Sequence, residues 1–125
     1  MSGVTLDAGP LIALDRHDRR VLALLARARS AGQRVTIPAC ALAQALRQPA
    51  RQVLLMRLAR QPGTDLVSLD GPDATSVGLL LQSSRTDDIS DAHVVVCARR
   101  TSGTVLTSDP EDIRHLDPAL DIVAV

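Results

Sequence analysis

The chain has 125 residues, no net formal charge and 46% apolar residues, none of them aromatic. This suits one domain with an aliphatic core, and it offers neither a global basic field nor aromatic stacking platforms for nucleic acid. All 14 Lys-or-Arg positions are Arg, which excludes a P-loop and a Schiff-base lysine.

Residues 4–6 predict a short buried strand that ends in Asp7 and a glycine turn. A short helix follows over 10–14, with Pro10 tolerated in its first turn. A second helix is expected over about 18–31, where Val21, Leu22, Leu25 and Ala28 recur on one face and Gly32 suits the C-terminal end. Residues 34–37 read as a brief strand stopped by Pro38, and 39–47 and 49–60 as two helices before Pro62-Gly63. A third strand is expected over 65–69, a helix over 74–82 and a polar loop over 83–90. The helix over 91–100 carries Val94-Val95-Val96-Cys97-Ala98, so it should be largely buried. A strand over 104–106, a helix over 109–116 and a strand over 121–125 complete the order β-α-α-β-α-α-β-α-α-β-α-β.

Strands alternating with helices imply parallel pairing and right-handed crossovers. The expected fold is a single domain over 1–125, with three α/β/α layers around a mainly parallel sheet of about five strands. Cys40 and Cys97 lie in apolar segments without zinc or CxxC spacing and read as small hydrophobes. No signal peptide is legible and no stretch has the length of a membrane span, so a cytoplasmic protein is expected.

Three acids stand out. Asp7 ends the first strand, Asp109 ends the fourth, and Asp91 opens the helix that leads into the fourth. If strands one and four are neighbours, all three face the crevice outside the strands' carboxyl ends, where ligands of such folds bind. Clustered carboxylates without a basic partner need a cation to stay ionised together. An oxygen-only donor set favours Mg²⁺ or Mn²⁺. Each acid also has a plainer reading as a helix cap or turn residue. Asp88 and Asp112, three residues from Asp91 and Asp109, read as caps or surface acids that can also support the site. His93 falls on the side of its helix away from Asp91, and His17 and His115 read as solvated. Thr107 and Ser108 have hydroxyls that can orient Asp109.

Four stretches taken together resemble the PIN-domain family, in particular VapC-type toxins of toxin–antitoxin pairs. They are Leu6-Asp7-Ala8-Gly9-Pro10-Leu11-Ile12-Ala13-Leu14, Ile37-Pro38-Ala39-Cys40-Ala41-Leu42-Ala43-Gln44, Asp88-Ile89-Ser90-Asp91-Ala92-His93-Val94-Val95 and Val105-Leu106-Thr107-Ser108-Asp109. The resemblance implies a Mg²⁺-dependent endoribonuclease, blocked by a small antitoxin protein and expected to form a homodimer. It places metal-site acids at Asp7, Asp91 and Asp109. The family's acidic residue in the third helix falls on Gln44, and no acid occurs between Asp18 and Asp65 to replace it.

Gln44 keeps a carbonyl oxygen but loses a unit charge, which should weaken metal affinity. The alternative reading is therefore a catalytically weakened PIN-like module that binds RNA or protein. Arg47 and Arg51 are four residues apart and can share a helix face for RNA phosphates, as can Arg57 and Arg60, if the helix is continuous. Leu54, Leu55 and Leu58 are expected in core or dimer contacts. A phosphoaspartate site fits poorly: a receiver needs a Lys, and a dehalogenase-type site wants Asp where Gly9 stands.

Overall fold

The computed structural model describes residues 3–125. The elements follow the expected order: β1 (Val4–Leu6), α1 (Ala8–Asp15), α2 (Arg19–Ser30), β2 (Val35–Pro38), α3 (Ala39–Ala45), α4 (Val53–Ala59), β3 (Thr64–Val67), α5 (Gly71–Ser84), α6 (Ile89–Thr101), β4 (Thr104–Thr107), α7 (Pro110–Leu116) and β5 (Asp121–Ala124). The five strands form one sheet in the order β3-β2-β1-β4-β5, and every pairing is parallel.

That order fixes where a ligand can bind. From β1 the chain moves through β2 to β3 on one side, then crosses back to β4 and β5 on the other. Right-handed crossovers put α1 to α4 on one face and α5 to α7 on the other, and each group packs mainly within itself. The switch point lies between β1 and β4, which are hydrogen-bonded neighbours with Leu6 opposite Leu106.

The core is aliphatic and close to the switch point. All three residues of β1 are buried, as are Val105, Leu106 and Thr107 of β4, while edge strands β3 and β5 are only partly covered. Helix α6 buries Ala92, Val94, Val95, Cys97 and Ala98, as its apolar run requires. Each fully buried Val or Leu contributes roughly 1.5–3 kcal/mol. Leu55 and Leu58 join this core, whereas Leu54 is half-buried. Cys97 is buried as expected, and Cys40 is only partly covered.

Polar side chains set most of the helix starts. Asp18 accepts from the Arg20 and Val21 amides, Asp70 from Asp73, and Asp88 from Asp91. These caps explain why α5 begins at Gly71 and α6 at Ile89, ahead of the apolar runs that mark them in the sequence. Helix α2 ends at the expected place, with Gly32 at φ +69° just beyond it.

The expected fourth helix over 49–60 is shorter than its sequence suggests. Residues 46–52 form a loop and turn, and α4 starts only at Val53. Gln52 holds this loop. Its Oε1 accepts the Arg47 and Gln48 amides at 2.8 and 2.9 Å, and its Nε2 donates to the Ala45 carbonyl at 3.0 Å. One buried side chain thus satisfies backbone groups that a broken helix would leave open.

Candidate functional site

Asp7 stands at the carboxyl end of β1 and is 4% exposed. Its Oδ1 accepts the Ala8 amide at 2.8 Å, and its Oδ2 accepts the Thr107 hydroxyl at 2.7 Å. The same Thr107 oxygen accepts the Asp109 amide at 3.0 Å. One hydroxyl on β4 therefore links the acid ending β1 to the turn carrying the acid after β4. Backbone pairing holds this hydroxyl in place, because the Thr107 carbonyl accepts the Val125 amide at 3.0 Å.

The turns on either side meet closely. A Cβ built on Gly9 would overlap the Ser108 side chain. Glycine at position 9 is what lets the first turn of α1 lie against the turn after β4.

The plainer reading of the acids as caps separates them. Asp88 is the cap of α6, with its Oδ1 accepting the Asp91 amide at 2.9 Å. Asp91 lies in the first turn of that helix and makes no capping bond. Asp109 occupies the cap position of α7 but makes no capping bond there. Among the described residues, the carboxylates of Asp91 and Asp109 have no hydrogen-bond or ion-pair partner.

These acids act on one another electrostatically. Burial pushes the Asp7 carboxyl above its ordinary range; the Thr107 and Ala8 hydrogen bonds oppose this, and Asp109 and Asp88 add to it. Asp91 is pushed up to about 7, first by burial and then by repulsion from Asp7, Asp88, Asp112 and Asp109. A proton or a cation taken up by the cluster relieves this repulsion. Asp88, Asp91 and Asp112 also line one cleft of about 220 Å³ with Thr86, His115 and Leu116.

Carboxylate oxygens are the donor type that hard divalent ions take, and a cation beside these acids would relieve their mutual repulsion. No three His, Cys, Asp or Glu side chains among the described residues are already arranged to hold one ion.

No protein-family model matches the chain, and no curated protein does. Its backbone is nonetheless similar to that of FitAcB from Neisseria gonorrhoeae, with a TM-score of 0.66 and 18% identity over 95% of each chain. The fold is PIN-like. The structure of FitAB bound to an IR36 DNA fragment gives the same TM-score of 0.66 and identity of 18%, covering 97% of this chain and 94% of that one.

Within this PIN-like fold the remaining sequence candidates separate. Helix α3 packs against both α1 and α6, the helices entered from Asp7 and carrying Asp91. Gln44 is exposed near the end of α3 and makes no side-chain hydrogen bond among the described residues.

Arg47 and Arg51 do not share a helix face, because both lie in the loop between α3 and α4. The Arg47 guanidinium turns back onto α3 and donates to the carbonyls of Ala43 and Leu46 at 2.9 and 2.7 Å. It serves as a cap for that helix end. Arg51 stands in the exposed turn before α4. Arg57 and Arg60 lie on and just after α4 and are exposed.

His93 is fully buried, with its Nε2 3.9 Å from Asp73 on α5. Burial holds its imidazole below the ordinary range. It takes no part in the acid cluster, as its two-residue offset from Asp91 implied. His115 is exposed and its Nε2 lies 2.9 Å from the Ser84 carbonyl.

One feature was not legible beforehand. Thr107 was expected to orient Asp109, but its bond to Asp7 depends on β1 and β4 being neighbours. Asp112, which read as a cap or surface acid that can also support the site, lines the cleft with Asp91 because α7 packs on α6.

Proposed function

We propose that the chain is a metal-dependent endoribonuclease toxin whose partner is a small antitoxin protein. The observation that carries this reading is Asp91. It is a carboxyl free of any capping bond, half-buried among Asp7, Asp88, Asp112 and Asp109, with its proton affinity raised to about 7. Such a cluster at a sheet's switch point suits a divalent cation better than it suits a fold-stabilising role. The likeness of fold to FitAcB and FitAB supports the toxin–antitoxin reading.

Asp7, Asp91 and Asp109 would hold Mg²⁺ or Mn²⁺, with Asp112 and Asp88 beside them. The ion would supply charge stabilisation to a phosphodiester and make water a competent nucleophile at neutral pH. The chain's own part is positional. Thr107 fixes the Asp7 carboxylate, Asp88 fixes the first turn of α6 below Asp91, and the Gly9–Ser108 contact holds the two strand-end turns together.

An antitoxin has a place to bind. An apolar groove of about 230 Å³ runs between α2 and α4, with Leu22, Leu25, Leu54 and Leu58 among its lining and Arg29 and Arg57 beside it. A partner segment apolar on one side and acidic at its margins would complement this groove, because no acid occurs between Asp18 and Asp65. No helix among the described residues is long and apolar enough to cross a membrane.

The test is RNA cleavage by the purified chain with and without Mg²⁺ or Mn²⁺. Cleavage should need the metal and vanish in Asp7→Ala. Equal cleavage by Asp7→Ala from a clean preparation would remove this site from consideration. Gln44 favours a second reading, a weakened PIN-like binding module, because the site has one charge fewer than the family pattern implies. On that reading the parent protein is inert and Gln44→Glu gains metal affinity together with cleavage.

A further inference from the structure

A cleft of about 340 Å³ opens on the α1 side of the acid cluster, lined by Gly9, Ile12, Ala13, Arg16, Asp18 and Ser108. Its near wall consists of Gly9, two residues after Asp7, and Ser108, next to Asp109. The cleft therefore begins on the two turns that carry the acids. Arg16 lines it at the other end of α1.

Arg16 is exposed and has no ion-pair or side-chain hydrogen-bond partner among the described residues. That is notable because Asp18 lines the same cleft. The Asp18 carboxylate is already used, with its Oδ1 accepting the Arg20 and Val21 amides at 3.0 and 3.1 Å as the cap of α2. Its charge is directed at the start of that helix.

The turn that presents Arg16 is tightly specified. The Arg16 and Asp18 amides both donate to the Ala13 carbonyl, at 3.1 and 3.0 Å, and the His17 amide donates to Leu14 at 3.0 Å. His17 sits in the left-handed region at φ 58°. Histidine adopts this region more readily than most non-glycine residues, and the three backbone hydrogen bonds define the turn. The backbone under Arg16 is accordingly fixed, while its guanidinium remains unpaired.

The two flanks of the acid cluster differ in charge. Asp88, Asp91 and Asp112 line the cleft on the α6–α7 side and would repel a bare phosphate. The α1 cleft instead offers an unpaired guanidinium, an open floor at Gly9 and the exposed edge of Ile12. Arg is suited to bidentate phosphate contact. With no aromatic side chain in the chain, a base here can rest only on aliphatic surface.

We infer that this α1 cleft is the subsite for a nucleotide flanking the cleaved bond, with Arg16 holding its phosphate. The inference rests on the ribonuclease reading and assigns to Arg16 the phosphate contact that the sequence pointed to at Arg47 and Arg51. The contact is to the backbone, so it serves single-stranded RNA of any base composition.

The test compares the parent chain with Arg16→Ala, Arg16→Lys and Arg47→Ala. Binding of a short labelled single-stranded RNA is followed by fluorescence anisotropy in Ca²⁺ over a salt series, and cleavage kinetics are measured in Mg²⁺. Arg16→Ala should weaken binding about tenfold, lower the slope of log K against log salt by about 0.7, and raise KM more than it lowers kcat. Arg16→Lys should keep the salt slope while losing part of the affinity, and Arg47→Ala should leave the slope unchanged. If the parent binds and cleaves RNA and Arg16→Ala matches it in affinity and slope, the subsite is wrong and the ribonuclease reading stands. If the parent neither binds nor cleaves RNA, both fall together.

Discussion

The hydroxyl of Thr107 donates to the carboxylate of Asp7 at 2.7 Å, joining residues 100 positions apart in the chain. Both are buried. The bond exists because β1 and β4 are parallel neighbours whose ends coincide, and it sets the orientation of the acid on which the candidate site depends.

Thr107→Val keeps the shape of the side chain but removes this donor, and it also removes the acceptor for the Asp109 amide. The carboxylate of Asp7 is then buried with one hydrogen bond fewer. A loss of about 1–3 kcal/mol in urea unfolding is expected. The Asp7 carboxyl should rise further, since Thr107 now acts to lower it. Thr107→Ser should recover most of the stability. Equal stability of the Val variant and the parent would show that the bond contributes nothing.

Asp91 gives a pH dependence of definite sign. Its carboxyl titrates near 7 in the folded chain and near 4 once unfolded. Below pH 4 both states hold the proton and Asp91 makes no difference. As pH rises from 4 to 7 the unfolded chain ionises first, so stability falls across that window and then levels. Asp91→Asn should flatten this slope and be the more stable form at pH 8. Mg²⁺ at pH 8 should raise the Tm of the parent, because binding to the folded state relieves the same repulsion. It should raise that of Asp91→Asn less. A parent stability that climbs between pH 4 and 7 in paired measurements with Asp91→Asn would contradict the assignment.

Gln52 should be the most sensitive polar residue outside the site. Gln52→Ala removes three hydrogen bonds to the backbone of the α3–α4 loop. A cost of about 2–4 kcal/mol is expected, at about 1 kcal/mol per bond plus the groups left unsatisfied. Hydrogen exchange should speed up at the Arg47 and Gln48 amides in particular. Gln52→Glu keeps the acceptor and loses the donor, so it should leave those two amides protected.

Gly9→Ala tests the contact between the two strand-end turns. The added methyl would overlap Ser108, and forcing it in should cost about 1–3 kcal/mol. Ser108→Gly on the same chain should restore most of that loss. Additive losses in the double variant would mean that the two turns are not in contact.

Much of this protein is determined locally. The element order, the parallel sheet and the buried character of α6 follow from periodicity and from Gly and Pro punctuation, which act over a few residues. The acids at positions 7, 91 and 109 were identifiable because strand-end carboxylates beside apolar runs are conspicuous in a chain whose core is aliphatic. The length of α4 was not identifiable, since the apolar pattern of residues 49–60 persists through a loop that Gln52 holds open. That in turn removed the shared face expected for Arg47 and Arg51.

What only the tertiary structure decided is which groups meet. The Asp88 carboxylate accepts the Asp91 amide while that of Asp91, three residues later, makes no capping bond, a difference of hydrogen-bond geometry that composition cannot express. The proton affinity of Asp91 reflects burial and four acids from three separate parts of the chain. Asp18 and Arg16 line one cleft, yet the Asp18 carboxylate caps α2 and the Arg16 guanidinium has no partner among the described residues. Local pattern sets the elements because their hydrogen bonds close within a few residues; the site depends on desolvation and charge, which act through space once the chain has folded.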